Sequence, residues 1–338
     1  MLTNEAPSGT LKGNWRFTAT RQQLFLPNAL RYGLLGTELA TPLYSSASSL
    51  KYRYVHYPNS SSRNALSEGQ KVQKLVYGIG GGNPADPRML EHYSRIVDLA
   101  RASISGRREP RIALLPTAHH NGTHAKLTFR KFIADRFTEI GCRCREILLG
   151  DVPAGEKATS NADVEEILSQ SDALYVLGGD TRYLLNVLSD RDLISVFHKH
   201  FESGLILSGS SAGLIWLADV CMSDSESFSE PEGWRFVMID GIGIIPMAVN
   251  AHDNQGVSDG VLPGITRMKQ FEMQLRKIPD TTGLAVDEFA ALEIRDGKCK
   301  VRSHQENTGA YLLAVIDSRI RRRKIEGEVN LMDPEGVM

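Results

Sequence analysis

From residue 72 onward, short apolar runs alternate with stretches of helical apolar spacing. Val72–Tyr77 is the first run, ending in Gly78-Ile79-Gly80-Gly81-Gly82-Asn83, and glycine-bounded runs of this kind predict buried strands. Arg88–Ala102 follows Pro87 with Leu90, Tyr93, Ile96, Val97 and Ala100 on one helical face. The alternation continues. Arg111–Leu115 predicts a strand closed by Pro116, Lys126–Ile140 a helix stopped by Gly141, and Arg145–Leu149 another strand. Asn161–Ser169 predicts a helix with Asp163 in its first turn, and Asp172–Leu177 a strand running into Gly178-Gly179-Asp180-Thr181. Two helical stretches, Tyr183–Leu188 and Arg191–Phe201, precede a short strand at Leu205–Leu207. Gly209-Ser210-Ser211-Ala212-Gly213 and an apolar helical segment, Leu214–Ala218, come next. Strands and helices alternating at this spacing imply βαβ crossovers. The expected fold is therefore α/β, three-layered, with a mainly parallel central sheet flanked by helices.

Beyond residue 218 the pattern changes. An acidic, irregular stretch from Met222 leads to a strand at Phe236–Ile239 and an apolar run, Ile242–Val249, ending in Asn250-Ala251-His252-Asp253. Arg267–Arg276 is a helix candidate. Leu284–Val286, Ala290–Ile294 and Lys300–Ser303 read as a C-terminal β-meander, with Tyr311–Ile316 closing the set. A folded domain is thus expected over 71–317. Residues 318–338 read as a tail, basic because of Arg319–Lys324. Residues 1–70 read as a loosely ordered extension, with serine runs, scattered arginine and few acids.

Composition narrows the function without naming it. The 338 residues carry a net charge of −1 and 41% hydrophobic residues, ordinary for a soluble globular protein. Such a balance makes no electrostatic case for nucleic acid or an anionic membrane. Four scattered cysteines, Cys142, Cys144, Cys221 and Cys299, form neither a disulfide framework nor a zinc pair. They read as reduced thiols of a cytoplasmic protein, with an organellar location the alternative if residues 1–70 hold a transit peptide.

Gly209–Gly213 lies between a predicted strand and a predicted helix, the layout of a nucleophile elbow. Ser211 is preferred over Ser210 because Ala212-Gly213 then opens the helix. A serine needs a base, and the base needs a group that orients it. Downstream the chain offers His252, with Asp224 and Glu226 between them as candidate acids. The oxyanion of the tetrahedral intermediate needs two N–H donors; the amides of Ala212 and Gly179 are the best placed. The glycines do not spell a nucleotide-binding loop, and no His/Asp/Glu spacing matches a metal site, so no cofactor is expected.

Taken together, several stretches resemble the peptidase E (aspartyl dipeptidase) and cyanophycinase family of serine peptidases. They are Gly80-Gly81-Gly82, Ile112–Ala118, Tyr175–Thr181, Gly209–Gly213, Ser223–Ser225, Asn250-Ala251-His252 and Gly283–Leu292. The resemblance covers about residues 72–316 and implies a fold like class I glutamine amidotransferases. It implies Ser211 as nucleophile, His252 as base, and Gly179 and Ala212 as oxyanion donors. Asp224 fits the Ser-Asp-Ser pattern of many relatives, and Glu226 the longer spacing of peptidase E itself. Ala251 stands where the family usually has proline. Gly264-Ile265-Thr266-Arg267 resembles the segment whose arginine binds the substrate's aspartyl carboxylate, although Ile265 replaces the usual acid.

The expected activity is therefore hydrolysis of short, aspartyl-containing peptides. A small peptide is the expected partner, with a homodimer left open. The alternatives are a cyanophycinase-like or other serine hydrolase or esterase, or a non-catalytic binding module on the same fold.

Overall fold

The computed structural model describes residues 72–122, 127–229, 233–256, 264–278 and 281–331. The expected extension at 1–70 lies outside these residues. The elements in chain order are β1 (Leu75–Ile79), α1 (Pro87–Ser103), β2 (Arg111–Leu115), α2 (Leu127–Glu139), β3 (Arg143–Glu146), α3 (Asn161–Gln170), β4 (Ala173–Val176), α4 (Thr181–Asp190), α5 (Ile194–Glu202) and β5 (Ile206–Ser210). Next come α6 (Ala212–Ile215), β6 (Ala218–Ser223), β7 (Val237–Asp240), β8 (Ile245–Asn250), α7 (Arg267–Leu275) and β9 (Gly283–Val286). The last are β10 (Ala290–Arg295), β11 (Lys298–Ser303), β12 (Ala310–Ile316), β13 (Arg319–Lys324) and β14 (Glu328–Asn330).

These strands form two sheets. The first runs β14-β11-β10-β1-β5-β4-β2-β3 and is parallel from β1 to β3. The second runs β13-β12-β9-β8-β6-β7, with β6, β8 and β9 parallel. The alternating sides of β1 explain the layering. Leu75, Tyr77 and Ile79 pack with α1 and α2 residues such as Tyr93, Ile96 and Phe137 on one face. Val76 faces the other way, into a core that includes Leu168, Leu184, Phe197 and Leu214. The same core takes in Cys221, Met247, Val249 and Leu284, so the second sheet packs there too. Each fully buried side chain of this size contributes about 1.5–3 kcal/mol, and the inner parallel strands β1 and β4 are buried on both faces.

Helix starts follow the side chains available. Asp86 caps α1 by accepting from Arg88 N, with Pro87 at the first position. Ser160 and Asp180 cap α3 and α4 in the same way. Asp180 thereby fixes the loop that carries Gly178 and Gly179.

The C-terminal strands are present but divide between the sheets. β9 pairs with β8 and β12, whereas β10 crosses to run antiparallel beside β1. The basic run is not a tail: Arg319–Lys324 pairs antiparallel with Tyr311–Ile316 of β12. Charge suits an edge strand, which must resist pairing with other chains. Arg322 alternates inward, lies 3.8 Å from the Tyr311 ring centroid and bonds the buried Asp253. Among the described residues, no helix is long and apolar enough to cross a membrane. All four cysteines are free.

Candidate active site

Three consecutive carbonyls at the end of β1 organise the site. Ile79 O accepts from Ser211 N at 3.0 Å, Gly80 O from His252 N at 2.8 Å, and Gly81 O from Phe289 N at 3.0 Å. Three loops distant in sequence are therefore pinned to one short piece of backbone. They follow β5, β8 and β9.

Ser211 sits at the β5–α6 junction with φ 57° and ψ −116°, a strained conformation for a residue with a side chain. Its flanking glycines are required for space. A Cβ on Gly213 would lie 2.0 Å from Val176 O, and one on Gly209 2.3 Å from Gly213 O. The turn can thus press α6 against β4 only if both positions lack a side chain. His252 Nε2 is 2.7 Å from Ser211 Oγ. On the other side of the ring, Nδ1 is 2.8 Å from Glu288 Oε1. The result is a continuous Ser–His–Glu chain.

Glu288 is itself held. Its amide donates to Asn254 Oδ1 at 2.8 Å, and its carboxylate also accepts from Gln255 Nε2 at 3.2 Å. The hydrogen bond from His252 draws its carboxyl below the usual range, against the opposing effect of burial. An ionised carboxylate beside Nδ1 favours the tautomer with the proton there. That tautomer leaves Nε2 as the acceptor facing the serine.

Asp224 and Glu226 lie elsewhere. Asp224 pairs with Arg267 Nη1 at 3.3 Å, and Glu226 accepts from Arg235 N at 3.1 Å. Neither is among the described partners of the imidazole, whose Nδ1 faces Glu288. Arg267 is 3% exposed; its guanidinium also bonds Asn250 Oδ1 and covers the Phe236 ring. It braces the end of β8 next to His252, and it is not among the residues lining the cavity at Ser211. A carboxylate-binding arginine would need its fork open to solvent.

Gly179 and Ala212, the expected oxyanion donors, both lie close to Ser211. Ala212 opens α6, and Gly179 lines the cavity with Ser211, Gly81 and His252. At φ +142°, Gly179 has a conformation that side chains avoid, and a Cβ there would lie 2.1 Å from Ala118 O. Gly81 has φ +137°, and a Cβ on it would enter the His252 ring, 2.1 Å from Cε1. Gly81→Ala is therefore expected to displace the imidazole and lower kcat/KM about 100-fold while the protein stays folded. Circular dichroism beside peptidase kinetics checks this. Unchanged kinetics would show that the imidazole tolerates the contact.

Behind the site lies a buried acid pair. Asp253 bonds Asn250 Nδ2 at 2.8 Å and Arg322, while Asp287 accepts from Gly309 N at 2.9 Å. Burial pushes the Asp287 carboxyl up to about 6, with Asp253 adding to the effect. A raised carboxyl disfavours folding once it must ionise, so Asp287 costs stability as pH rises from about 4 to 6. Asp287→Asn is expected to be more stable than the wild type at pH 7.5, by up to about 3 kcal/mol, and to lose that advantage near pH 4. Urea unfolding at both pH values measures it. A loss of stability at pH 7.5 would contradict the buried-acid reading.

The fold and this arrangement are those of a serine-type peptidase, and comparison with known proteins agrees. The sequence model of peptidase family S51 matches residues 76–302, and the chain belongs to that family. It is 24% identical over 229 residues to a cyanophycinase of Geminocystis herdmanii (strain PCC 6308), covering 66% of this chain and 75% of the relative. It is 28% identical over 167 residues to a cyanophycinase of Nostoc sp. (strain PCC 7120 / SAG 25.82 / UTEX 2576), spanning about half of each (49% and 52%). Among solved structures, a peptidase from an acI-B1 Actinobacterium superposes with a TM-score of 0.56 at 17% identity. It covers 77% of this chain and 98% of that one, a likeness of fold.

Glu288, the carboxylate at His252 Nδ1, is not among the residues singled out in the sequence. Its signal was an acidic pair, Asp287-Glu288, closing a predicted strand inside a stretch already singled out, Gly283–Leu292.

Proposed function

We propose that the protein hydrolyses short peptides with Ser211 as nucleophile, His252 as general base and Glu288 as the carboxylate that orients it. The observation that carries this reading is the unbroken chain from Ser211 Oγ through both ring nitrogens of His252 to Glu288, at 2.7 and 2.8 Å. His252 Nε2 takes the serine proton as Oγ forms a bond to the scissile carbonyl carbon. The carbonyl electron pair moves onto oxygen, where the amides of Gly179 and Ala212 stabilise it. As the carbon–nitrogen bond breaks, His252 returns the proton to the departing amine. Water then repeats the sequence on the acyl-enzyme.

The cavity at Ser211 has a volume of about 270 Å³, near the lower end for small-ligand pockets, which supports a short substrate. An aspartyl preference through Arg267 has no support in its geometry, because the guanidinium is buried against Asp224 and Asn250. A cyanophycinase-like activity is the second reading, favoured by the names of the curated relatives. Incubation of the purified protein with dipeptides and with cyanophycin separates the two. Turnover of dipeptides alone supports the first reading; turnover of cyanophycin alone supports the second.

A further inference from the structure

The imidazole beside Ser211 stands on a strained piece of backbone. His252 has φ 53°, in the left-handed region that residues with a side chain avoid. Such a conformation persists where the surrounding structure over-determines it. His252 N donates to Gly80 O at 2.8 Å, and its carbonyl accepts from Gln255 N at 3.0 Å. The next residue adds a second clamp. Asp253 N donates to Val286 O at 3.1 Å. Its carboxylate, closed off from solvent, accepts from Asn250 Nδ2 at 2.8 Å and from Arg322.

Arg322 comes from far along the chain, on β13, beyond residue 302 where the family match ends. Its guanidinium lies over the Tyr311 ring of β12, 3.8 Å from the centroid. A planar guanidinium stacked in this way has lost much of the freedom of an arginine side chain, so it fixes a carboxylate in place as well as attracting it. The same hairpin holds the other arm of the site. Gly309, at the entry to β12, accepts from Asp287 N at 3.0 Å and donates to Asp287 Oδ2 at 2.9 Å. β12 and β13 thus grip the residue after His252 and the residue before Glu288. Asp253 raises the Asp287 carboxyl while Arg322 and Lys324 lower it, so the two acids and the arginine form one cluster.

Resting on the Ser211–His252–Glu288 reading above, we infer that Arg322 is a positioning residue for the reaction. Acting through Asp253, it keeps His252 in its left-handed backbone conformation, with the ring held between Ser211 and Glu288. Without Arg322, the Asp253 carboxylate would be buried beside Asp287 with no cation against it, and the segment would gain by moving toward water. A shift of about 1 Å in the imidazole is enough to cost a reaction about 100-fold in rate.

Thermal melts, set beside the rate at which a fluorophosphonate labels Ser211, test this. Arg322→Met is expected to melt earlier than the wild type and to slow labelling at least about tenfold. Adding Asp253→Asn removes the buried charge that Arg322→Met leaves unpaired, so the double variant should regain most of the lost melting temperature. Its labelling should stay at least about tenfold slow, because the anchor is still missing. Where Arg322→Met fails to fold, the double variant decides on its own. Labelling that recovers in step with stability, or that runs at the wild-type rate in folded Arg322→Met, reduces Arg322 to a stabilising ion pair. Either result overturns the inference and leaves the nucleophile in place. Folded wild-type protein that is not labelled at Ser211 overturns the triad reading and this inference with it.

Discussion

Ser211→Ala is expected to lower kcat/KM for dipeptide hydrolysis by at least about 10³, equivalent to about 4 kcal/mol of transition-state stabilisation. Removing Oγ removes the atom that forms the acyl bond, so no repositioning of His252 can compensate. Residual activity should be that of the oxyanion donors and of substrate binding alone. Folding should be unaffected. Ser211 already holds a strained backbone through Ser211 N–Ile79 O and through Leu214 N and Ile215 N, which donate to its own carbonyl. None of these bonds uses the side chain. Steady-state kinetics with matched thermal melts would separate the two effects. A variant that melts as the wild type yet keeps full activity would remove Ser211 from the mechanism.

Glu288→Gln should lower kcat about 10³- to 10⁴-fold with little change in KM, because substrate contacts are untouched. The glutamine amide can present its N–H₂ to Nδ1 and so favour the tautomer in which Nε2 holds the proton and cannot accept one from serine. It also removes the charge that would stabilise the imidazolium. Asp224→Asn and Glu226→Gln are the controls. Asp224 touches Arg267 and Glu226 touches Arg235 N, so each should change kcat by no more than about tenfold. If Asp224→Asn were crippled and Glu288→Gln spared, the acid would have been assigned to the wrong loop.

That assignment also marks where sequence reasoning stopped. The alternation from β1 to β5 was legible because both faces of a parallel strand are buried and each crossover helix carries its own apolar stripe. The elbow was legible because Gly209 and Gly213 answer to contacts made within the same strand–turn–helix unit and its neighbour β4. β6 was hidden: Ala218–Ser223 follows the one-turn α6 at once, so an apolar run that reads as one helix is divided between two elements. The division of β9 and β10 between sheets was equally hidden, since pairing with β8 or β1 is decided by tertiary contacts.

Glu288 lies 36 residues beyond His252, at a strand end where an acidic pair has the local signature of a turn. The parallel pairing of β8 with β9, the Asp253 N–Val286 O and Glu288 N–Asn254 Oδ1 bonds, and the Gly80 and Gly81 carbonyls together bring it to the imidazole, and none of these is local in sequence. Arg267 shows the opposite limit. Its local pattern resembles a substrate-binding arginine, yet the pairing with Asp224 that buries it is visible only in three dimensions.

The central claim is that Ser211 is an activated nucleophile. A fluorophosphonate probe tests it most directly, read out by mass spectrometry of the labelled peptide. Ser211 should be labelled in the wild type, and labelling should be lost in Ser211→Ala and strongly slowed in His252→Ala and Glu288→Gln. Folded wild-type protein that is unlabelled, or labelled on another serine at the same rate in all four forms, would contradict the account.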